Sequence, residues 1–138
     1  MAKQIRNVMT SNPSTIEPGQ PVTEAARMMR DSDTGIIPIV EGGRLVGTVT
    51  DRDIAIRVVA EGKDPSSVTV GEIASRELVT VDPDQDLDEA LRLMAQHQVR
   101  RLPVVEEDGR LAGILAQADV ARELGESETG RVVKEISE

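Results

Sequence analysis

Gly47-Thr48-Val49-Thr50-Asp51-Arg52-Asp53 decides the fold: an alternating, β-branched run breaks directly into a helix-forming segment, with a hydroxyl and carboxylates at the break. A strand that opens into a helix places side chains and free backbone N–H groups at one edge of a sheet, where polar ligands are commonly held. Sixty-six positions later the chain nearly repeats itself as Gly113-Ile114-Leu115-Ala116-Gln117-Ala118-Asp119. The glycine and the last aspartate return; the threonine does not.

Outward from these two junctions the repeat extends over most of the chain. Thr15 to Asp53 lies over Thr80 to Asp119 with one inserted residue at Asp108, matching Pro18 with Pro83, Glu24 with Glu89, Met29 with Met94, Pro38 with Pro103 and Arg44 with Arg110. A short extended piece ends at a proline in each copy. An amphipathic helix follows, with Val22, Ala25, Ala26 and Met29, then Leu87, Ala90, Leu91 and Met94, on a 3.6-residue period. Asp86 and Glu89 have capping-box spacing, and Pro21 suits a first helical turn. Two strands then pair around glycine-containing turns, Glu41-Gly42-Gly43-Arg44 and Glu107-Asp108-Gly109-Arg110. A second helix closes each copy, Arg52 to Ala60 stopped by Gly62, and Ala118 to Leu124 stopped by Gly125. Val68 to Ala74 resembles Gln4 to Met9, as though each copy had its own lead-in helix.

The expected organisation is α/β: residues 8–62 as the first repeat, 63–72 as linker and lead-in, 73–125 as the second repeat, and 126–138 as a polar tail in which Val132, Val133 and Ile136 form one short amphipathic helix. Two units this small bury little core alone, so face-to-face packing as one globule is the economical expectation.

Composition removes several functions. With no cysteine there is no thiol catalysis, disulfide or thiolate metal site, and with a single histidine, His97, no metal site is expected. His97 reads as a surface partner of a helix C-terminus, and the serines have no evident base beside them. The absence of Phe, Tyr and Trp leaves Val, Ile, Leu, Met and Ala to build the core, with Met28, Met29 and Met94 filling gaps. It also excludes the aromatic stacking on which single-strand nucleic-acid binders rely, and a formal charge of −9 opposes nucleic acid further. No apolar run reaches the roughly 18 residues of a membrane span and no signal segment is evident, so the expectation is no membrane contact and a cytoplasmic location. An anionic ligand would need a local cluster of arginines.

Two β-α-β-β-α units, Gly-x-x-Thr-x-x-Asp at the first junction and Leu102-Pro103-Val104-Val105 in the second copy together resemble a tandem pair of CBS domains, the Bateman module. The sequence is similar to small stand-alone bacterial proteins of that kind. The resemblance implies a regulatory or sensor module with no enzymatic activity and no required cofactor, holding an adenosine-containing ligand (AMP, ADP or ATP) in a composite cleft between the repeats. It implies that Asp53 accepts hydrogen bonds from the ribose hydroxyls and that Thr50 contacts ribose or phosphate, with Thr48, Val79, Val99, Arg100, Arg101 and Pro103 completing the cleft. Arg100 and Arg101 fall where relatives often carry a phosphate-contacting His-Arg pair, and guanidinium suits phosphate geometry. A second, weaker cleft would combine Gly35, Ile36, Ile114 and Asp119, without the hydroxyl. The resemblance also implies a homodimer through helical faces, with Ile54, Val58, Val120 and Leu124 as the apolar contact, and an unidentified regulated protein.

Plainer readings compete at each position. Asp53 can serve the helix dipole alone, Thr50 can be an N-cap, Arg52 can be solvated, and alternation along a strand sends at most one of Arg100 and Arg101 to a given face. The alternatives to a nucleotide sensor are a ligand-free interaction or scaffold protein and a sensor of S-adenosylmethionine, whose cation better suits the acidic charge.

Overall fold

A computed structural model describes residues 3–124; the expected tail helix lies outside the described residues. The described residues form two compact units, one made of residues 14–78 and the other joining the residues up to 13 with those from 79 onward.

In the unit of residues 14–78, α1 (Val22–Ser32) is followed by the hairpin of β2 (Ile36–Glu41) and β3 (Arg44–Thr50), with Gly42 and Gly43 at positive φ in the turn. Ile16 adds a parallel bridge to Ile39. The first helical turn after β3 is α2 (Asp51–Ile54), which widens into a π-helical turn over Ala55–Val59, not the uninterrupted α-helix expected. A short α3 (Val70–Ile73) brings Ser75 beside Thr48, each donating its N–H to the other's carbonyl at 2.9 and 3.1 Å. Ile16, Val22, Ala25, Met29, Ile37, Ile39, Val49, Val58, Val70 and Ile73 make the core. Of the expected stripe on α1, Val22, Ala25 and Met29 are buried and Ala26 is exposed.

The other unit follows the same plan. α4 (Leu87–His97) leads to β4 (Arg101–Val105), β5 (Leu111–Ala116) and α5 (Gln117–Leu124), and Val81 bridges Val104 in parallel. Its outer strand is supplied by the start of the chain, because β1 (Thr10–Ser11) pairs antiparallel with β5, Thr10 opposite Ile114. Ile5, in a 3₁₀ turn over Ile5–Asn7, is fully buried among Val81, Leu87, Ala90, Met94, Leu102, Val104, Leu115 and Val120.

Each lead-in therefore sits in the compact unit of the other repeat: residues before the first repeat complete the second, and residues before the second complete the first. The hydrogen bonds are equivalent. Ile5 N–H donates to Gln85 O and Val70 N–H to Gln20 O, both at 2.9 Å. The glycine of each junction motif exists for this strand. A Cβ at Gly113 would stand 2.5 Å from Thr10 O, and one at Gly47 would stand 3.2 Å from Ser75 O.

Two local expectations fail for physical reasons. Asp86 makes no side-chain cap, and Glu89, the other half of the expected box, is held by Arg92 one turn on. Val58 and Val120 belong to the two cores, with Ile54 and Leu124 packed partly against them, so the apolar residues these helices leave exposed are Ile56 at 45% and Val59 at 68%. His97 is exposed in the last turn of α4, as expected.

Candidate functional site

The junction in the unit of residues 14–78 is built by reciprocal capping. Thr50, still extended, accepts the N–H of Asp53 on Oγ1 at 3.1 Å, while Thr50 N–H donates to Asp53 Oδ2 at 2.9 Å. The two residues singled out by the motif thus first of all start a helix, satisfying two of the donors that a helix N-terminus leaves open. Among the described residues Asp53 Oδ1 has no protein partner, so one carboxylate oxygen can still accept. Thr48, two residues earlier on the same strand, is buried.

Gly35 and Ile36 lie at the opposite strand of this junction. Ile36 is in register with Thr50, and Asp51 N–H donates to Gly35 O at 2.9 Å. The Asp51 carboxylate rests on Gly35, where a Cβ would approach Oδ2 to 2.9 Å. Arg57, in the π turn, donates to Ile73 O at 3.2 Å and so ties the helix to α3.

The second junction keeps half of this arrangement. Ala116 N–H donates to Asp119 Oδ2 at 3.2 Å, but Ala116 has no hydroxyl to accept in return, and the other Asp119 oxygen is ion-paired with Arg122. Arg101 is in register with Ala116, and Gln117 N–H donates to Arg100 O at 2.8 Å, the counterpart of Asp51 and Gly35. Arg100 is exposed and Arg101 half-buried, and among the described residues neither guanidinium has an ion-pair partner. Val99 and Val79 are half-buried beside this unit's core, and Pro103 and Ile114 are buried opposite one another in the hairpin.

Of the expected site residues, Thr48, Thr50, Asp53, Gly35 and Ile36 are thus gathered in one unit, and Val79, Val99, Arg100, Arg101, Pro103, Ile114 and Asp119 in the other. Sequence reading passed over Gln117, whose Nε2 is buried with no hydrogen-bond partner. Aligning the copies puts Gln117 opposite Asp51, an amide for an acid beside an arginine for a glycine, and that paired difference was the available signal.

The CBS domain family model matches residues 5–60 and 70–126. The chain is 42% identical over 134 residues to the CBS domain-containing protein YhcV of Bacillus subtilis, covering 96% of this chain and 94% of that protein. It is 41% identical over 132 residues to Hypoxic response protein 1 of Mycobacterium tuberculosis, covering 95% and 92%. A crystal structure of Hypoxic Response Protein I with two coordinated zinc ions superposes with a TM-score of 0.82 at 40% identity, over 89% of this chain and all of that one. The CBS domain pair of MJ0100 in complex with 5-methylthioadenosine and S-adenosyl-L-methionine gives 0.79 at 28% identity, over 91% and 98%. CBSX2 in complex with AMP gives 0.76 at 26%, over 87% and 94%. Zinc does not suit the residues present here: the chain has one histidine and no cysteine, and no group of three or more His, Cys, Asp or Glu capable of holding a metal occurs among the described residues. Nor is any helix among the described residues long and apolar enough to cross a membrane. Two family matches spanning most of the chain, and a fold shared with solved CBS pairs, establish that this protein belongs to the CBS domain family as a tandem α/β pair.

Proposed function

We propose that this protein is a non-enzymatic regulatory module whose signal is an adenosine-containing ligand, AMP, ADP or ATP, with Thr50 and Asp53 serving its ribose and Arg100 and Arg101 its phosphate. The observation that carries the reading is a division of chemistry: one junction keeps an open carboxylate oxygen at Asp53, and the other unit carries two arginines without ion-pair partners among the described residues. A carboxylate oxygen suits a sugar hydroxyl, and guanidinium suits phosphate. Solved relatives holding AMP, 5-methylthioadenosine or S-adenosyl-L-methionine support the adenosine class. Asp119, already engaged by Ala116 N–H and Arg122, is the poorer sugar acceptor. The reading includes a cytoplasmic location, a homodimer using the face of Ile56 and Val59, and an unidentified regulated protein. Light scattering of an Ile56→Asp/Val59→Asp double variant checks the dimer, which is wrong if the native and variant masses agree.

A thermal-shift panel of adenosine, AMP, ADP, ATP and S-adenosylmethionine tests the assignment, since a ligand of the folded state stabilises by RT ln(1 + [L]/Kd). Asp53→Ala is expected to abolish the nucleotide shift and Asp119→Ala to leave most of it; equal losses refute the ranking. A shift with S-adenosylmethionine alone selects the cationic ligand, for which the acidic pair Asp51 and Asp53 speaks. No shift with any compound selects the ligand-free scaffold.

A further inference from the structure

We propose that Gln117 is a specificity-determining residue, the third donor of the phosphate-binding half of the site, acting with Arg100 and Arg101. This rests on the nucleotide reading above and extends it to a variable position within the second junction stretch. Its starting point is an unpaid cost. Buried polar side-chain atoms nearly always have a partner, and an orphan donor costs stability, yet among the described residues Gln117 Nε2 is the buried side-chain atom without one.

Nothing in local folding requires an amide there. The helix start needs only the main-chain N–H of Gln117, which donates to Arg100 O at 2.8 Å, and the equivalent position carries Asp51. Position 117 is tied through that same bond to Arg100, and the preceding residue is in register with Arg101. Along the backbone, this end of the β4/β5 hairpin therefore carries two cations and one orphan N–H donor at adjacent register positions, Arg100 across from Gln117 and Arg101 across from Ala116. These groups donate and do not accept, so together they suit an oxyanion with several lone pairs. An aspartate at 117, as at 51, would neutralise one arginine and offer an acceptor where the ligand brings another. The amide keeps the cations available and adds a neutral donor. A polar group retained at a cost to folding is the pattern expected of a residue kept for binding.

The test compares Gln117→Met and Gln117→Glu with the native full-length chain, reading the melting temperature without ligand and titrating adenosine and AMP. Gln117→Met removes the orphan at similar volume, so the ligand-free protein is expected to melt higher while AMP binds about tenfold more weakly and adenosine is unaffected. Gln117→Glu is expected to weaken AMP at least as much. A lower melting temperature for Gln117→Met shows a structural amide and overturns the proposal, as does unchanged AMP affinity in both variants. If the native protein binds neither adenosine nor AMP, the nucleotide reading falls and this inference with it. If the native protein binds AMP and the variants bind it equally, only the inference falls.

Discussion

The junction at Thr50 and the junction at Ala116 occupy the same place in two copies of one fold, and a lost hydroxyl together with a gained arginine at position 122 separates their chemistry. Where threonine is present, hydroxyl and carboxylate each accept the other residue's backbone N–H, and among the described residues Asp53 retains one open oxygen. Where alanine stands, Asp119 keeps its bond to the backbone N–H and turns its other oxygen to Arg122. The following helices diverge as well: a π turn over Ala55–Val59 against a regular helix over Gln117–Leu124. π turns within helices are often found at functional sites. A duplicated motif is thus not a duplicated site. Both carboxylates keep the backbone N–H that positions them, and the second copy adds Arg122 where the first has Ile56, so a cation takes the oxygen that Asp53 leaves open.

The comparison breaks first, and with the largest effect, at the motif glycines. Gly113→Ala drives a Cβ to 2.5 Å from the Thr10 carbonyl, whereas Gly47→Ala meets the Ser75 carbonyl at 3.2 Å. We expect losses of about 3 and about 1 kcal/mol in urea unfolding, the greater for the closer backbone approach; equal losses would mean that the two lead-in strands are seated alike. The second test exchanges the hydroxyl. Thr50→Ala removes an N-cap and is expected to cost about 1 kcal/mol, and Ala116→Thr, by giving Asp119 N–H an acceptor, to gain about half that. A loss on Ala116→Thr would show that the Arg122 pair excludes the capping box. The smallest effect compares the lead-ins. Glu72 caps α3, and the Thr69 backbone N–H, then the Thr69 hydroxyl, hold its carboxyl below the usual carboxylate range; the 3₁₀ turn at Ile5 has no side-chain cap. A carboxyl depressed in the folded state stabilises above its unfolded pKa, and that stability disappears as pH falls through the folded value. Protection of the Val70–Ile73 amides, taken as exchange relative to the intrinsic rate at each pH, is therefore expected to fall on acidification below the ordinary glutamate range, modestly because the group is exposed. The Glu72→Gln variant should show no such slope, and a slope in it would reassign the effect.

The element order and both hairpins were legible because they rest on local signals: alternation, helical period and turn glycines. The helix after β3 was legible as a helix but not in its pitch. Nor was its inward face: Val58 and Val120 read as surface candidates and are core residues, because apolar spacing states that a stripe exists without saying which neighbour it meets. Thr50 and Asp53 stood out, yet their first partners are one another, since a capping box and a polar ligand site use the same residue types. Gln117 gave no motif at all. Its orphan amide is defined by what surrounds it, which only the folded chain supplies. The partners of the lead-ins were hidden for a similar reason, because Gln4 to Met9 and Val68 to Ala74 look alike and carry no address.

That exchange of lead-ins bears on how the polypeptide assembles as it is synthesised. Residues 14–78 are one uninterrupted stretch, so their unit has all its parts once that stretch has left the ribosome. Ile5 and Thr10 emerge before any of it, but must wait for Leu115 and Ile114, more than a hundred residues later, before their hydrophobic seat and strand partner exist. The segment of Ile5 and Thr10, made before residues 14–78, is thus among the last to dock, and a ribosome stalled before β5 holds one finished unit and one unclaimed apolar segment.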